Sequence, residues 1–221
     1  MLAAEHPKGE GGMFVQTLPQ PAQRLLVRLG RQRWMANFYL AGDSAAALHL
    51  GHRRSEDLDF FCPKELNTPL LLHRLQKVGK FDLTKEAWGT LIGVLEGVRV
   101  SFFTYPYPLL HPPQKLWGVR IASLLDIGLM KLIAISQRGT RRDFVDLFFI
   151  CRQSIPLTEL LASLPQKFAG VNYSLPHILR SLVYFDDAEK EPMPTMLVPV
   201  RWSDIKRFFQ AQVKMIAEAN L

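Results

Sequence analysis

Leu40 to Phe61 read LAGDSAAALHLGHRRSEDLDFF, and this stretch decides the fold. Its first residues are β-prone and end at Gly42, and residues 43–50 are rich in helix formers up to Gly51. Residues 57–62 (DLDFFC) then alternate between polar and apolar side chains, which is typical of a strand. The stretch therefore predicts a strand, a short helix and a second strand.

Two carboxylates in the second predicted strand, Asp57 and Asp59, are two residues apart and so leave the same face. Carboxylates at that spacing can hold one or two Mg²⁺ ions, which in turn bind nucleotide phosphates. Ser44 follows Gly42 at the start of the predicted helix, where backbone N–H groups and a hydroxyl can meet a phosphate. The alternative is an exposed edge strand whose carboxylates pair with the arginines at positions 53 and 54.

This arrangement resembles the AbiEii/AbiGii toxin nucleotidyltransferases of the DNA polymerase β-like superfamily. The family pattern is Gly-Gly-Thr/Ser, a short helix, and then Arg-x-Ser-x-Asp-hydrophobic-Asp-Phe. The residues that match this pattern at the same spacing are Gly42, Ser44, Arg53, Ser55, Asp57, Asp59 and Phe60. The resemblance continues through residues 101–110, 126–147 and 184–194, and covers most of the chain from about residue 24 onward. It implies a Mg²⁺ (or Mn²⁺) ion at Asp57 and Asp59 and an NTP bound by the loop and by Arg53 and Ser55.

Two positions depart from the family pattern. Asp43 stands where the family usually has its second glycine, which places a carboxylate beside the expected triphosphate. Ser101 stands where polymerase β-like enzymes commonly carry a third carboxylate, the usual base for the attacking hydroxyl. These departures leave either an enzyme with another base or a weakened one.

A second cluster of candidate residues lies in the helical sequence after residue 113. Asp143 and Asp146 share one face of a predicted helix, and Lys131 lies in an otherwise apolar stretch one helix earlier. Its ammonium reaches either into a cleft or, by snorkelling, into solvent. In the second case the acidic face of the later helix would also be exposed to solvent. By resemblance, Lys131 neutralises the transferring phosphates, and Asp143 or Asp146 orients it or acts as base. The same motif implies nucleotide contacts from Arg138 and Arg142.

The rest of the sequence predicts an α+β fold with two domains. Runs at 90–96 and 98–104, joined at Gly97, predict a hairpin within a small mixed sheet that has flanking helices. Four prolines between 106 and 113 interrupt regular structure, and the later sequence has helical periodicity with no convincing strand. We therefore expect a disordered tail over 1–12, a nucleotidyltransferase-like domain over 13–113, and an all-helical domain over 114–221.

The net charge, the apolar runs and the cysteines indicate which partners and which compartment to expect. The net charge of +7 favours a polyanionic partner, and apolar runs far shorter than 20 residues argue against a membrane span. Cys62 and Cys151 lie in apolar contexts, which indicates buried thiols of a reducing, cytoplasmic compartment. We expect an Mg²⁺-dependent nucleotidyltransferase, and the resemblance implies a tRNA 3′ end as acceptor and a cognate antitoxin. The alternatives are a catalytically weakened nucleotide- or RNA-binding module and a nucleotidyltransferase that acts on a small molecule.

Overall fold

The central element of the fold is a mixed β-sheet, seen in a computed structural model that describes residues 10–219. Within those residues the sheet has seven strands: β1 (Tyr39–Ala41), β2 (Leu58–Cys62), β3 (Phe81–Ala87), β4 (Thr90–Leu95), β5 (Val98–Thr104), β6 (Gln114–Leu116) and β7 (Val119–Ile121). Their order across the sheet is β3-β4-β5-β2-β1-β7-β6. The strand β2 is antiparallel to β1 and parallel to β5, so the central strands run in both directions.

Helices cover the sheet and form most of the second half of the chain. They are α1 (Gln20–Gly30), α2 (Gly42–Leu50), α3 (Thr68–Val78), α4 (Leu124–Gln137), α5 (Arg141–Gln153), α6 (Leu157–Lys167), α7 (Leu175–Ser181), α8 (Asp186–Glu189) and α9 (Trp202–Ala219). The α+β fold class is therefore confirmed.

The helix α2 is the link between the sheet and the later helices. Three consecutive alanines in it, Ala45, Ala46 and Ala47, are fully buried. Their small side chains allow the helix to pack closely against the sheet and against the later helices. The helix packs on β1 and β2 on one side and on α4 and α5 on the other. It ends at Gly51, whose φ of 66° is the left-handed conformation that glycine adopts readily. One apolar core thus continues from the sheet into the helices.

The predicted hairpin at Gly97 is confirmed. Strands β4 and β5 pair antiparallel from Thr90↔Phe103 to Leu95↔Val98. The two turn residues between them, Glu96 and Gly97, both have positive φ, as a tight two-residue hairpin loop requires.

The prediction that no strand follows residue 113 is wrong. Strands β6 and β7 form a hairpin there, and β7 lies parallel to β1 with Ile121 opposite Leu40. Each strand has three residues, too few for an alternating pattern to be recognised beside the prolines. The strand β3 is also absent from the prediction, because this edge strand is almost entirely exposed and its sequence is mostly polar. The division at residue 113 into two domains stays a prediction.

Two further predictions concern the chain ends and membranes. Residues 1–9 of the predicted disordered tail lie outside the described residues, and Glu10–Gly12 form a short 3₁₀ helix. Within residues 10–219, no single helix has the length and apolar composition to cross a membrane, although α5 and α6 meet both criteria as a pair bent by 110°.

Candidate active site

A cavity of about 470 Å³ lies between the sheet strands β2 and β5 and the helices α4 and α5. Its polar side is lined by Gly42, Asp43, Asp57, Asp59, Arg99, Ser101, Lys131, Arg138, Arg142 and Asp143. Most of the residues predicted for the site are in this set, although they come from four separate parts of the chain. The cavity does not include Ser44, Arg53, Ser55 and Asp146 among its lining residues.

The two predicted metal ligands face this cavity together. Asp57 immediately precedes β2, and Asp59 lies within it opposite Ala41 of β1. Burial is the main cause that raises the pKa of Asp57, and it likewise raises the pKa of Asp59 despite a hydrogen bond from Ser101. The negative charge of Asp43 also raises the pKa of both residues, and that of Asp57 raises the pKa of Asp59. The cavity therefore concentrates negative charge at the start of β2.

Gly42 begins α2 directly beside these carboxylates. Its φ is 68°, a conformation that residues with a side chain rarely adopt. A Cβ atom at this position would lie 3.4 Å from Oδ2 of Asp59. The backbone conformation therefore favours glycine here, whereas the distance to Asp59 is that of an ordinary van der Waals contact.

Ser44 and Ser55 form buried hydrogen bonds beside the start of α2. Both are buried, and Oγ of Ser44 lies 2.9 Å from Oγ of Ser55 and within hydrogen-bond distance of the Asp57 carbonyl oxygen. The hydroxyl of Ser44 thus ties the start of α2 to the start of β2. The Ser44 hydroxyl is thus engaged inside the protein in this structure, and its phosphate contact stays a prediction.

Lys131 reaches from α4 into a group of carboxylates. Its Nζ atom lies 2.9 Å from Oδ1 of Asp143 and 2.7 Å from Oδ2 of Asp146, and it also contacts Asp43. Only 3% of the side chain is exposed. Burial by itself would lower the pKa of Lys131, but the surrounding carboxylates raise it, so the ammonium stays charged. Of the two orientations left open by the sequence, the structure therefore shows the one in which the ammonium of Lys131 points into a cleft.

Asp146 lies behind the cavity and holds Arg53. The guanidinium of Arg53 donates from Nε to Oδ1 at 2.6 Å and from Nη2 to Oδ2 at 2.8 Å, a bidentate pair that is almost fully buried. The buried His52 also contacts Asp146, and burial lowers the pKa of that imidazole. Backbone hydrogen bonds link this segment to residues 195–198: the N–H of Arg54 donates to Thr195, and the N–H groups of Leu197 and Val198 donate to His52. Arg53 and Asp146, both predicted site residues, therefore pair with each other behind the cavity and do not line it.

Asp143 lies at the first turn of α5 and faces the cavity. Its carboxylate accepts from Thr140 at 2.7 Å and from Nε of Arg138 at 3.1 Å, in addition to Lys131. Burial would raise the pKa of Asp143, but Lys131 and Arg138 outweigh it and lower the pKa to about 2. Such a carboxylate is a permanent counter-ion at neutral pH and a weak base.

Asp43, at the start of α2, forms ion pairs with three cations. It contacts Lys131, and its Oδ2 lies 3.2 Å from Nη2 of Arg53 and 3.3 Å from Nη1 of Arg142. The side chain of Asp43 is 15% exposed and that of Arg142 is 52% exposed. The guanidinium of Arg142 is thus accessible from the cavity while it is paired with Asp43.

A second part of the cavity lining, called the aromatic wall here, is apolar. It is formed by Phe61, Ile92, Phe103, Tyr105, Met130 and Ile133. Phe61 has ring contacts with Phe103 at 5.2 Å and with Tyr105 at 5.5 Å between centroids. Phe61 and Asp59 are two apart on β2, so the aromatic wall and the carboxylates belong to the same face of the sheet.

A buried ion pair that sequence reasoning missed holds the proline-rich segment over this wall. Nζ of Lys167 lies 2.7 Å from Oδ1 of Asp126, and both side chains are fully buried. Asp126 also accepts from the backbone N–H groups of Leu110 and His111. Lys167 further donates to the carbonyl oxygen of Pro108. Asp126 begins the segment 126–147 that carries the family resemblance, but no local spacing pairs it with Lys167, which lies 41 positions away.

The chain matches a protein-family model. The family model for the nucleotidyl transferase AbiEii toxin of type IV toxin–antitoxin systems matches residues 92–216. An uncharacterized protein of Aquifex aeolicus (strain VF5) is 37% identical over 187 residues, which cover 82% of this chain and 89% of that protein.

Solved structures show the same fold at low sequence identity. MenT4, a nucleotidyltransferase toxin from Mycobacterium tuberculosis H37Rv, is similar with a TM-score of 0.55 at 15% identity, over 87% of this chain and 80% of that one. A candidate nucleotidyltransferase from H. pylori is similar with a TM-score of 0.51 at 16% identity, over 90% and 93% of the two chains. These likenesses extend across both the sheet and the helices that follow it.

Proposed function

Because the chain belongs to the AbiEii family of nucleotidyltransferase toxins, we propose that the cavity between β2 and α4 transfers a nucleotidyl group from an NTP to an acceptor hydroxyl. The observation that carries this proposal is that Asp57 and Asp59, several cations and three aromatic rings all line one cavity. Carboxylates, cations and aromatic rings match the three parts of a nucleotide complex: metal, phosphates and base.

A divalent metal fits the chemistry of Asp57 and Asp59. Among residues 10–219, no three His, Cys, Asp or Glu side chains are grouped closely enough to hold a metal ion by themselves. Mg²⁺ is commonly bound through one or two carboxylates together with substrate phosphates and water, so two carboxylates suffice when the nucleotide is present. A bound Mg²⁺ or Mn²⁺ would neutralise phosphate charge in the transition state. The raised pKa values of both carboxyls are consistent with a site that favours an added cation.

Cations of the cavity wall would bind the triphosphate. Arg142 and Arg138 are more than half exposed and reach the cavity from the ends of α5 and α4. Lys131 contributes positive charge from the cavity floor, where Asp143 and Asp146 fix its position. Its proposed part in transfer is electrostatic: it offsets charge that develops on the phosphoryl oxygens. Asp143, with its low pKa, orients Lys131 in this scheme.

The aromatic wall would bind the base of the nucleotide. Stacking on an aromatic ring does not depend on which base is present, since every base has a flat π-face. Phe61, Phe103 and Tyr105 offer such rings on the same sheet face as Asp59. We assign the base to this wall and the phosphates to the loop side.

An RNA end is the acceptor that the surroundings of the cavity favour. Two neighbouring grooves share residues with the cavity, one lined by Arg54 and Arg142 and the other by Arg138, His177 and Arg180. Arginines on both sides of a cavity are suited to the phosphates of a polynucleotide. We therefore propose a tRNA 3′ end as acceptor, and, because the family belongs to type IV toxin–antitoxin systems, a cognate antitoxin as the protein that opposes it.

The test is transfer of label to RNA. The protein is incubated with each α-labelled NTP in turn, Mg²⁺ and total tRNA, and labelled RNA is measured on a denaturing gel. We expect transfer with at least one NTP, loss of transfer in Asp57→Asn and Asp59→Asn, and unchanged transfer in Asp82→Asn, an exposed acid on the edge strand β3.

Each negative result has a distinct meaning in this assay. No labelled RNA with any NTP would overturn tRNA as the acceptor, and nucleotide binding without transfer to RNA or to a small molecule would favour the binding-module alternative. Label that persists in Asp57→Asn would show that the assignment of the metal ligands is wrong.

A further inference from the structure

Asp43 lies on the loop side of the cavity, where the proposed function places the phosphates of the NTP. It is the second residue of α2, at the helix N-terminus, where the backbone N–H groups and the helix dipole favour an anion. Lys131, Arg53 and Arg142 converge on its carboxylate from three separate segments. An anion at a helix N-terminus with three cations around it has the environment of a bound phosphate.

The carboxylate of Asp43 is not needed to keep the buried cations paired. Lys131 is within 2.9 Å of Asp143 and 2.7 Å of Asp146, and Arg53 has its bidentate pair with Asp146. Without Asp43, both cations would still have carboxylate partners in the interior. Arg142, in contrast, has Asp43 as its one ion-pair partner among the described residues. Arg142, which faces the cavity, is therefore the cation of this cluster that depends on Asp43 for its ion pair.

We propose that Asp43 is a specificity-determining residue whose carboxylate stands in the place of a phosphate group and competes with the terminal phosphates of the NTP. This inference rests on the proposed function, since it concerns how the same cavity selects its substrate. A triphosphate that binds here must displace Asp43 from Arg142 and must lie close to a fixed negative charge. The residue therefore weakens the contribution of the terminal phosphates and leaves binding dependent on the base, the sugar and the metal.

Removing the charge should strengthen binding in proportion to the number of phosphates. Like charges placed together in an interface oppose binding, and the half-exposed position of Arg142 moderates the effect through solvent screening. For Asp43→Asn we expect about tenfold tighter binding of the nucleoside triphosphate, about threefold tighter binding of the diphosphate, and unchanged binding of the monophosphate. A merely structural role for Asp43 would change the three affinities by the same factor.

The experiment is calorimetric titration of the full chain with Mg²⁺ and the mono-, di- and triphosphates of adenosine, guanosine, cytidine and uridine. Asp43→Asn is compared with the wild type, with Asp43→Glu, which keeps the charge, and with Asp82→Asn, which removes a remote charge from β3. The graded increase in affinity is expected in Asp43→Asn and not in the other two variants. Asp43→Gly, which also removes the carboxylate, serves as a second neutral variant, and thermal unfolding is measured for each protein.

The outcomes separate this inference from the function itself. Equal or weaker triphosphate binding in folded Asp43→Asn and Asp43→Gly, while the wild type still transfers label, would overturn the inference and leave the function standing. If the wild type and both neutral variants neither bind a nucleotide nor transfer label, the proposed function fails and the inference fails with it. Loss of folding in both neutral variants would show that Asp43 serves stability and would also overturn the inference.

Discussion

The bidentate pair between Arg53 and Asp146 allows a sharp prediction of stability. Asp146→Asn keeps the size of the side chain but removes the charge that holds Arg53 and one of the charges that hold Lys131. Both carboxylate oxygens of Asp146 are engaged, and none of its surface is exposed. Removing one member of such a buried pair typically costs about 3–5 kcal/mol, because the other charge stays buried without its partner. The remaining contact of Arg53 with Asp43, at 3.2 Å, places the expected loss near the lower end of that range.

Urea unfolding followed by tryptophan fluorescence measures this loss. We expect the unfolding midpoint of Asp146→Asn to fall while the slope of the transition stays that of the wild type. Asp82→Asn, which breaks an exposed pair on β3, should leave the midpoint unchanged. A loss below about 1 kcal/mol for Asp146→Asn, the size of a typical surface effect, would refute the reasoning that this cluster is a buried and mutually dependent set of charges.

Three more predictions follow from the same geometry. Gly42→Ala forces a side chain into a positive φ beside Asp59, and should cost about 1–2 kcal/mol in thermal unfolding and reduce label transfer; full activity would contradict the placement of the loop. Lys167→Met leaves Asp126 without its cation and should cost about 3 kcal/mol in urea, with faster proteolysis of residues 106–113; an unchanged midpoint would show that the pair contributes little. Asp143 has a folded pKa of about 2 against an ordinary value of 3.8, so its stabilisation is present above about pH 4 and is lost as the pH falls towards 2. The stability difference between the wild type and Asp143→Asn should therefore shrink across that range, and a difference that grows would reverse this assignment.

Local patterns in the sequence predict much of the fold. The alternation of residues 57–62 predicts β2, and the glycine between two β-prone runs predicts the hairpin of β4 and β5, since both signals lie within a few neighbouring residues. The edge strand β3 and the three-residue strands β6 and β7 carry no such signal. They are strands because the neighbouring strand offers hydrogen bonds, which is a property of the folded sheet.

The sequence predicts candidate residues for the site, but it does not predict which of them line the cavity and which lie behind it. The spacing of Asp57 and Asp59 predicts that they share a face, and they line one cavity. Whether a charged residue faces the cavity or lies beneath it depends on contacts between distant segments. Asp146 pairs with Arg53 across 93 positions, and Lys131 meets Asp43 across 88, so neither pairing can be read from local spacing.

The parallel pairing of β7 with β1 and the bond from Arg53 to Asp146 have a consequence for how the protein is made. During synthesis, β1 and Arg53 leave the ribosome before their partners β7 and Asp146. Until those partners emerge, one edge of β1 has no neighbouring strand and the guanidinium of Arg53 lies in water. A chain cut at residue 113 would leave β1 without β7 and Arg53 without Asp146. The two pieces would regain the site only by joining each other, which makes this position a natural choice for a split reporter whose signal depends on reassembly.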